Sequence, residues 1–176
     1  YMWEFEVAAD KLAQFLVHYG PDGSWASLFR RAPDYLGTQL LSDRSIEYVK
    51  RSDLKPATQG ACQNGQVLLL DTMGELATLY ALASVVFIGG SLVPTGGHNI
   101  LEPALFRKPM LFGPSMSNFR EMSEYFLKQQ AAVQVKDSKE LGDELVRMFR
   151  DPGLRAQIGG RGHGILMANR GAAQRI

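Results

Sequence analysis

At 176 residues with 45% hydrophobic side chains, the chain is long enough for one domain with a sizeable core and too short for two full α/β domains. Its 19 basic and 18 acidic side chains nearly cancel, which argues against a nucleic-acid-binding surface, and the single cysteine, Cys62, excludes an intrachain disulfide and a cysteine-based zinc site. The sequence holds no apolar run of about 18 residues and no signal peptide, and a start at Tyr1-Met2-Trp3-Glu4 without an initiator Met leads to the expectation of a fragment.

In chain order, residues 5–19 put Phe5, Ala8, Leu12, Phe15, Leu16 and Tyr19 on one face at helical spacing, which predicts an amphipathic helix stopped at Gly20-Pro21. His18 then falls near its end as a surface residue. Breakers among the aromatics of 20–45 give only loops and short helices, residues 46–50 read as a strand, and the polar stretch 52–65 reads as a surface connection. From there the pattern sharpens. Residues 67–70 form a buried strand, and Thr72 with Glu75 has the spacing of a capping box, so a helix is expected from Met73 with Leu76, Leu79, Tyr80 and Ala83 inward. Residues 84–88 are an apolar, β-branched strand. A helix follows at 99–106 and a strand at 109–112. Asn118 with Glu121 repeats the cap-box spacing ahead of Phe119, Met122 and Phe126, residues 132–135 read as the last strand, Ser138 caps a helix with Leu141, Leu145, Met148 and Phe149 inward, and Pro152 begins a further helix.

Short apolar strands alternating with helices predict an α/β fold, a Rossmann-like parallel sheet with helices on both faces, in a single domain spanning 1–176. Strands ending at Leu70, Ile88 and Phe112 are expected side by side, and ligands of such sheets bind beyond the carboxyl ends of the strands. Three polar, glycine-bearing loops follow strands at 71–75, 89–99 and 113–118, and their convergence on one edge is the physical argument for a site.

The loop 89–99 is the richest of the three. Gly96 and Gly97 are free to take positive φ and to offer bare N–H groups, and the helix opening near Asn99 adds donors suited to an anion. Pro103 is compatible with a first helical turn. Glu102 has two readings: a first-turn acid favourable to the helix dipole, or a fixed carboxylate that accepts hydrogen bonds from a ribose diol. His98 either touches a phosphate or packs as a spacer, and Asn99 either caps the helix or reaches the ligand. The loop lacks the Gly-Lys-Ser/Thr ending of a P-loop, and no Gly-x-Gly-x-x-Gly marks a first strand, which removes most of the support for ATPase and dehydrogenase readings. No Gly-x-Ser-x-Gly elbow, Asp-x-Asp or His-x-x-x-His pair is present.

Asp71-Thr-Met-Gly-Glu-Leu76, Phe87-Ile-Gly-Gly-Ser-Leu-Val-Pro-Thr-Gly-Gly-His-Asn-Ile-Leu-Glu-Pro-Ala104 and Phe112-Gly-Pro-Ser-Met-Ser-Asn-Phe119 closely resemble the 3-deoxy-D-manno-octulosonic acid (Kdo) transferases of bacterial lipid A assembly, over roughly residues 65–176. The resemblance implies the C-terminal, donor-binding half of a GT-B glycosyltransferase, with CMP-Kdo as donor, a lipid A precursor as acceptor, and inversion without a metal or other cofactor. It implies lipopolysaccharide biosynthesis at the cytoplasmic face of the inner membrane, with membrane and acceptor contact through an N-terminal domain outside this chain. By position, Gly96, Gly97, His98, Asn99 and Glu102 match the nucleotide-binding loop, Thr72, Met73 and Gly74 border the base, and Asn118 belongs to the third loop. The family's general base lies in the N-terminal domain, so this piece is expected to bind without turnover. The first 50 residues depart from the family's opening strand, phosphate loop and Arg-His-Pro signature. Arg31-Ala-Pro33 is the only echo of that signature, no opening strand is recognisable, and Arg31 is left unassigned; the N-terminal part is either divergent or incomplete. The rival readings are a UDP-sugar epimerase or other GT-B domain, and a non-catalytic nucleotide-sugar-binding module.

Overall fold

A computed structural model of the chain describes residues 14–19, 25–30, 38, 41–43, 45–54, 67–72 and 74–170. Seven strands make one sheet: β1 (Gln14–Tyr19), β2 (Trp25–Arg30), β3 (Tyr48–Lys50), β4 (Val67–Leu70), β5 (Val85–Ile88), β6 (Met110–Phe112) and β7 (Val133–Gln134), in the order β3-β4-β2-β1-β5-β6-β7. Helices α1 (Leu76–Tyr80), α2 (Leu101–Leu105), α3 (Arg120–Lys128), α4 (Ser138–Arg150) and α5 (Pro152–Arg170) follow β4, β5, β6 and β7, the last two in succession.

Strands β4, β5 and β6 are apolar at every position because both sheet faces are covered there. Along β5, Val85 and Phe87 point into a core layer shared with Leu141, Leu145 and Met148 of α4, whereas Val86 and Ile88 point into a second layer with Tyr80 of α1, Ala104 of α2 and Phe126 of α3. This period-2 alternation is what a strand between two helical layers requires. The rings of Tyr80, Phe87, Phe112 and Phe126 are fully buried, each contributing about 1.5–3 kcal/mol relative to exposure. Helix α5 serves both layers, with Ile158 in the first and Ile165 in the second.

Several expectations are corrected here. Residues 14–19, expected in a helix, form β1, with His18 opposite Ala26 of β2; residues 1–13 lie outside the described part. A short apolar run satisfies both periodicities, and pairing decided between them: β1 finds backbone partners on both sides, β2 and β5, whereas a helix would have left β5 without that neighbour. Residues 25–30, expected among loops and short helices, are β2. The sheet is thus parallel except for β1, which runs against β2 and β5. The expected adjacency holds for β5 and β6 and fails for β4, which pairs with β2 and β3 because β2 and β1 stand between it and β5. Direction is kept, so the loops after β4, β5 and β6 all leave from the same edge.

Candidate functional site

At that edge the loop after β5 is tied down almost entirely by backbone. Gly96 and Gly97 have φ of 91° and 71°, the left-handed region in which a side chain is strained. Both are buried. Their N–H groups, expected bare, are engaged: Gly96 N donates to Ser115 Oγ at 3.2 Å and Gly97 N to Gly90 O at 3.0 Å. One donor is satisfied within the loop and the other by the loop after β6, because a buried glycine N–H with no partner would cost about 1–3 kcal/mol. The expectation of an anion held by those two N–H groups is therefore corrected.

The loop after β6 grips the glycine loop from the other side. Asn118 N donates to Gly96 O at 3.1 Å, and Asn118 Nδ2 donates to Thr95 O at 3.3 Å and to Gly97 O at 3.4 Å. Asn118 was expected to cap a helix. It lies instead in the 3-10 turn Ser117–Phe119, and α3 begins after it at Arg120 without a side-chain cap, since the amide is used across the loops. Ser91 completes the join: its buried Oγ accepts from Gly113 N at 2.7 Å and donates to Ile88 O, and Ser91 O accepts from Ser115 N at 2.8 Å.

Helix α2 starts later and is shorter than expected, a turn and a half, so its macrodipole is a small contribution. Asn99 closes its start, with Oδ1 accepting from Leu101 N at 2.9 Å and Nδ2 donating to Glu102 Oε1 at 3.2 Å. The capping reading of Asn99 is thus realised, in a form that also fixes Glu102. The other carboxylate oxygen of Glu102, Oε2, accepts no hydrogen bond among the described residues, and the side chain is half-buried. His98 is exposed, with its ring near Gly90.

The loop after β4 is held by charge. Asp71 accepts from Ser52 twice, Oδ2 from Oγ at 2.6 Å and Oδ1 from N at 2.9 Å. Burial pushes the Asp71 carboxyl up, and the two Ser52 bonds, with Lys50 nearby, outweigh it and leave it below its ordinary value. Glu75 accepts from the Thr72 hydroxyl and, at 2.7 Å, from the Arg51 guanidinium; the Thr72 bond first and Arg51 next hold its carboxyl below the ordinary 4.5. The Thr72–Glu75 capping box is corrected accordingly: the two side chains bond each other, and α1 starts at Leu76, after Glu75. Gly74 is exposed at φ 85°. The equivalent shift on α4 is one residue, with Asp137 in place of Ser138 as the cap, accepting from Glu140 N at 2.8 Å.

The structure therefore joins Gly96, Gly97, Asn118 and, through α2, Asn99 and Glu102, while Thr72 and Gly74 share their edge without a direct bond to them. Met73, Arg31 and Cys62 lie outside the described residues. Sequence reasoning passed over Ser91, Ser115 and Arg51; small hydroxyls beside glycine runs were the available signal for the two serines. Among the described residues no group of three or more His, Cys, Asp or Glu is placed to hold a metal, and no helix is long and apolar enough to cross a membrane.

No protein-family model matches the sequence. A 3-deoxy-D-manno-octulosonic acid transferase of Haemophilus influenzae is 34% identical over 138 residues, 78% of this chain and 31% of that protein. A bifunctional glycosyltransferase/methyltransferase of Fusobacterium nucleatum is 37% identical over 101 residues, 57% of this chain and 16% of that protein. The chain thus spans less than a third of the curated relatives just described. The crystal structure of the C-terminal CMP-Kdo binding domain of WaaA from Acinetobacter baumannii matches with a TM-score of 0.69 at 31% identity, covering 77% of this chain and 70% of that one. With that much of a solved domain shared at that identity, and glycine loop and fold in agreement, this chain belongs to the Kdo transferase family, in which it corresponds to the C-terminal domain.

Proposed function

We propose that this chain binds CMP-Kdo and serves as the donor-binding domain of a GT-B enzyme that transfers Kdo to a lipid A precursor, in lipopolysaccharide biosynthesis at the cytoplasmic face of the inner membrane. The observation that carries the reading is the fixed pair at the start of α2: Asn99 holds Glu102 with one carboxylate oxygen occupied and the other turned to no described partner, next to a glycine loop clamped from two sides. In this reading Glu102 accepts from the ribose hydroxyls, His98 and the backbone that follows Gly97 face the phosphate, and Thr72, Met73 and Gly74 border the cytosine. On transfer, the bond from the Kdo anomeric carbon to the phosphate oxygen breaks, and the charge gathering on the CMP phosphate is received by prepositioned donors. The base that deprotonates the acceptor belongs to the N-terminal part of the enzyme, so the 176-residue chain transfers no Kdo by itself even at saturating donor; transfer by the purified chain to a lipid A precursor refutes this.

The test titrates CMP into the parent chain and into Glu102→Gln by calorimetry, with a melt of each. A charge-assisted hydrogen bond contributes about 1.5–3 kcal/mol, so affinity falls on the order of 10- to 100-fold. Melting barely moves, by about 0.3–1 kcal/mol in stability. Deoxycytidine monophosphate, lacking one hydroxyl of the diol, distinguishes the parent from the variant far less than CMP does. Unchanged CMP affinity removes Glu102 from the site and leaves it a first-turn acid.

A further inference from the structure

The grip of Asn118 on the glycine loop has a directional effect. Three successive carbonyls, Thr95 O, Gly96 O and Gly97 O, all accept from this one residue. In a trans peptide the C=O and the following N–H point opposite ways, and none of the described peptide bonds is cis. With Thr95 O and Gly96 O turned to Asn118, the N–H groups of Gly96 and Gly97 are turned away, to Ser115 Oγ and Gly90 O. With Gly97 O turned to Asn118, the His98 N–H is aimed to the opposite side of the loop. Single bonds of 3.3 and 3.4 Å are weak, but the three act on consecutive peptide planes, and reversing the 95–96 or the 96–97 plane breaks a bond on each of its sides.

The amide is also too close to the loop to be reaching past it. A methyl at Gly96 would stand 2.6 Å from Asn118 Nδ2 and 2.7 Å from its Oδ1, so the whole amide is stacked against the glycine and nothing fits between them. Two carbonyl acceptors identify the nitrogen end of the amide, and both point into the protein's own backbone.

We infer that Asn118 is a positioning residue for the donor phosphate: it sets three successive peptide planes of the glycine loop, 95–98, and so fixes the shape of the backbone that lines the phosphate site without touching the ligand. The inference rests on the donor-binding reading above, and it replaces the expectation that Asn118 contacts CMP.

The experiment compares CMP with cytidine, which has the same base and ribose and no phosphate, as ligands of the parent chain and of Asn118→Ala, by NMR titration. Amide hydrogen exchange is followed at Gly96 and Gly97 and, as a control on the fold, at Phe87 and Leu111 in β5 and β6. Loss of the clamp lowers CMP affinity about 10-fold and leaves cytidine affinity unchanged. Exchange at Gly96 and Gly97 accelerates while the strand amides hold. A direct ligand contact to the base or ribose, or a general loss of structure, lowers both affinities together, and either result overturns the inference. Unchanged CMP affinity or unchanged exchange at the two glycines overturns it as well. The two readings fail separately: a parent that binds no CMP removes the donor reading and the phosphate role with it, whereas a parent that binds CMP as tightly as Asn118→Ala removes only the role given to Asn118.

Discussion

The loops after β4 and β5 leave the same edge of the sheet and are built on opposite principles. The loop after β5 uses buried glycines, a buried serine and one amide, with hydrogen bonds to backbone throughout and no ion pair among its described contacts. The loop after β4 is held by Asp71–Ser52 and Arg51–Glu75–Thr72, partly exposed side chains carrying charge. The contrast is clearest at the glycines. A methyl at Gly97 would stand 2.3 Å from Met116 Sδ and 3.2 Å from Ser115 O, whereas one at Gly74 meets nothing within 4 Å. One loop is fixed by shape; the other is fixed by charge and has room at its glycine.

The largest effect that would test this contrast is a pair of substitutions. Both Gly97→Ala and Gly74→Ala incur left-handed strain of about 1–2 kcal/mol. Gly97→Ala adds overpacking of about 1–3 kcal/mol, so urea melts should show it losing about 2–5 kcal/mol and Gly74→Ala no more than about 2 kcal/mol. Equal losses would break the distinction between the loops. Next in size is Ser91→Ala, which strands the buried Gly113 N–H and costs about 1–3 kcal/mol on the same measurement, with a loss of CMP affinity alongside it; a neutral result would mean that the two loops are joined by something else. The smallest effect concerns pH. The folded-state value of Glu75 is depressed, so its contribution to stability is present above the unfolded value, 4.5, and is lost as pH falls through the depressed value. Asp71 behaves in the same sense. Glu75→Gln should therefore flatten the acid limb of the stability profile below about pH 4.5, while Gly97→Ala keeps the parent's slope at lower overall stability. An acid limb unchanged in Glu75→Gln would show that the Arg51 pair, about one-third exposed, is screened out by water.

The strands at 67–70, 85–88, 110–112 and 133–134 and the long helices α4 and α5 were legible from apolar runs and 3.6-residue periodicity, within a residue or two at their ends. Of the candidate site, the sequence singled out two glycines that do take positive φ, Gly96 and Gly97, and a pair that is hydrogen-bonded at the start of α2, Asn99 and Glu102. Three capping signals misled. The Thr72 hydroxyl bonds the Glu75 side chain, the Asn118 amide bonds carbonyls of the glycine loop far outside the expected first turn, and Asp137 takes the cap in place of Ser138.

Local chemistry is what the sequence determined by itself: which segments are apolar enough to be buried on both faces, where glycine permits positive φ, and which motif strings carry the family resemblance. These depend on residues near one another in the chain. Tertiary structure alone decided which strands are neighbours and which loop carbonyls Asn118 would take. Residues 14–19 satisfy helix and strand patterns alike, and only backbone partners in β2 and β5 made them a strand and moved β4 away from β5. Asn118 and Gly96 are 22 positions apart, and their hydrogen bond exists because β5 and β6 pair in register, Ile88 opposite Phe112, and so bring the two following loops together. Pairing energy is non-local, set by which partner satisfies the most backbone groups at once, and no window of sequence contains it.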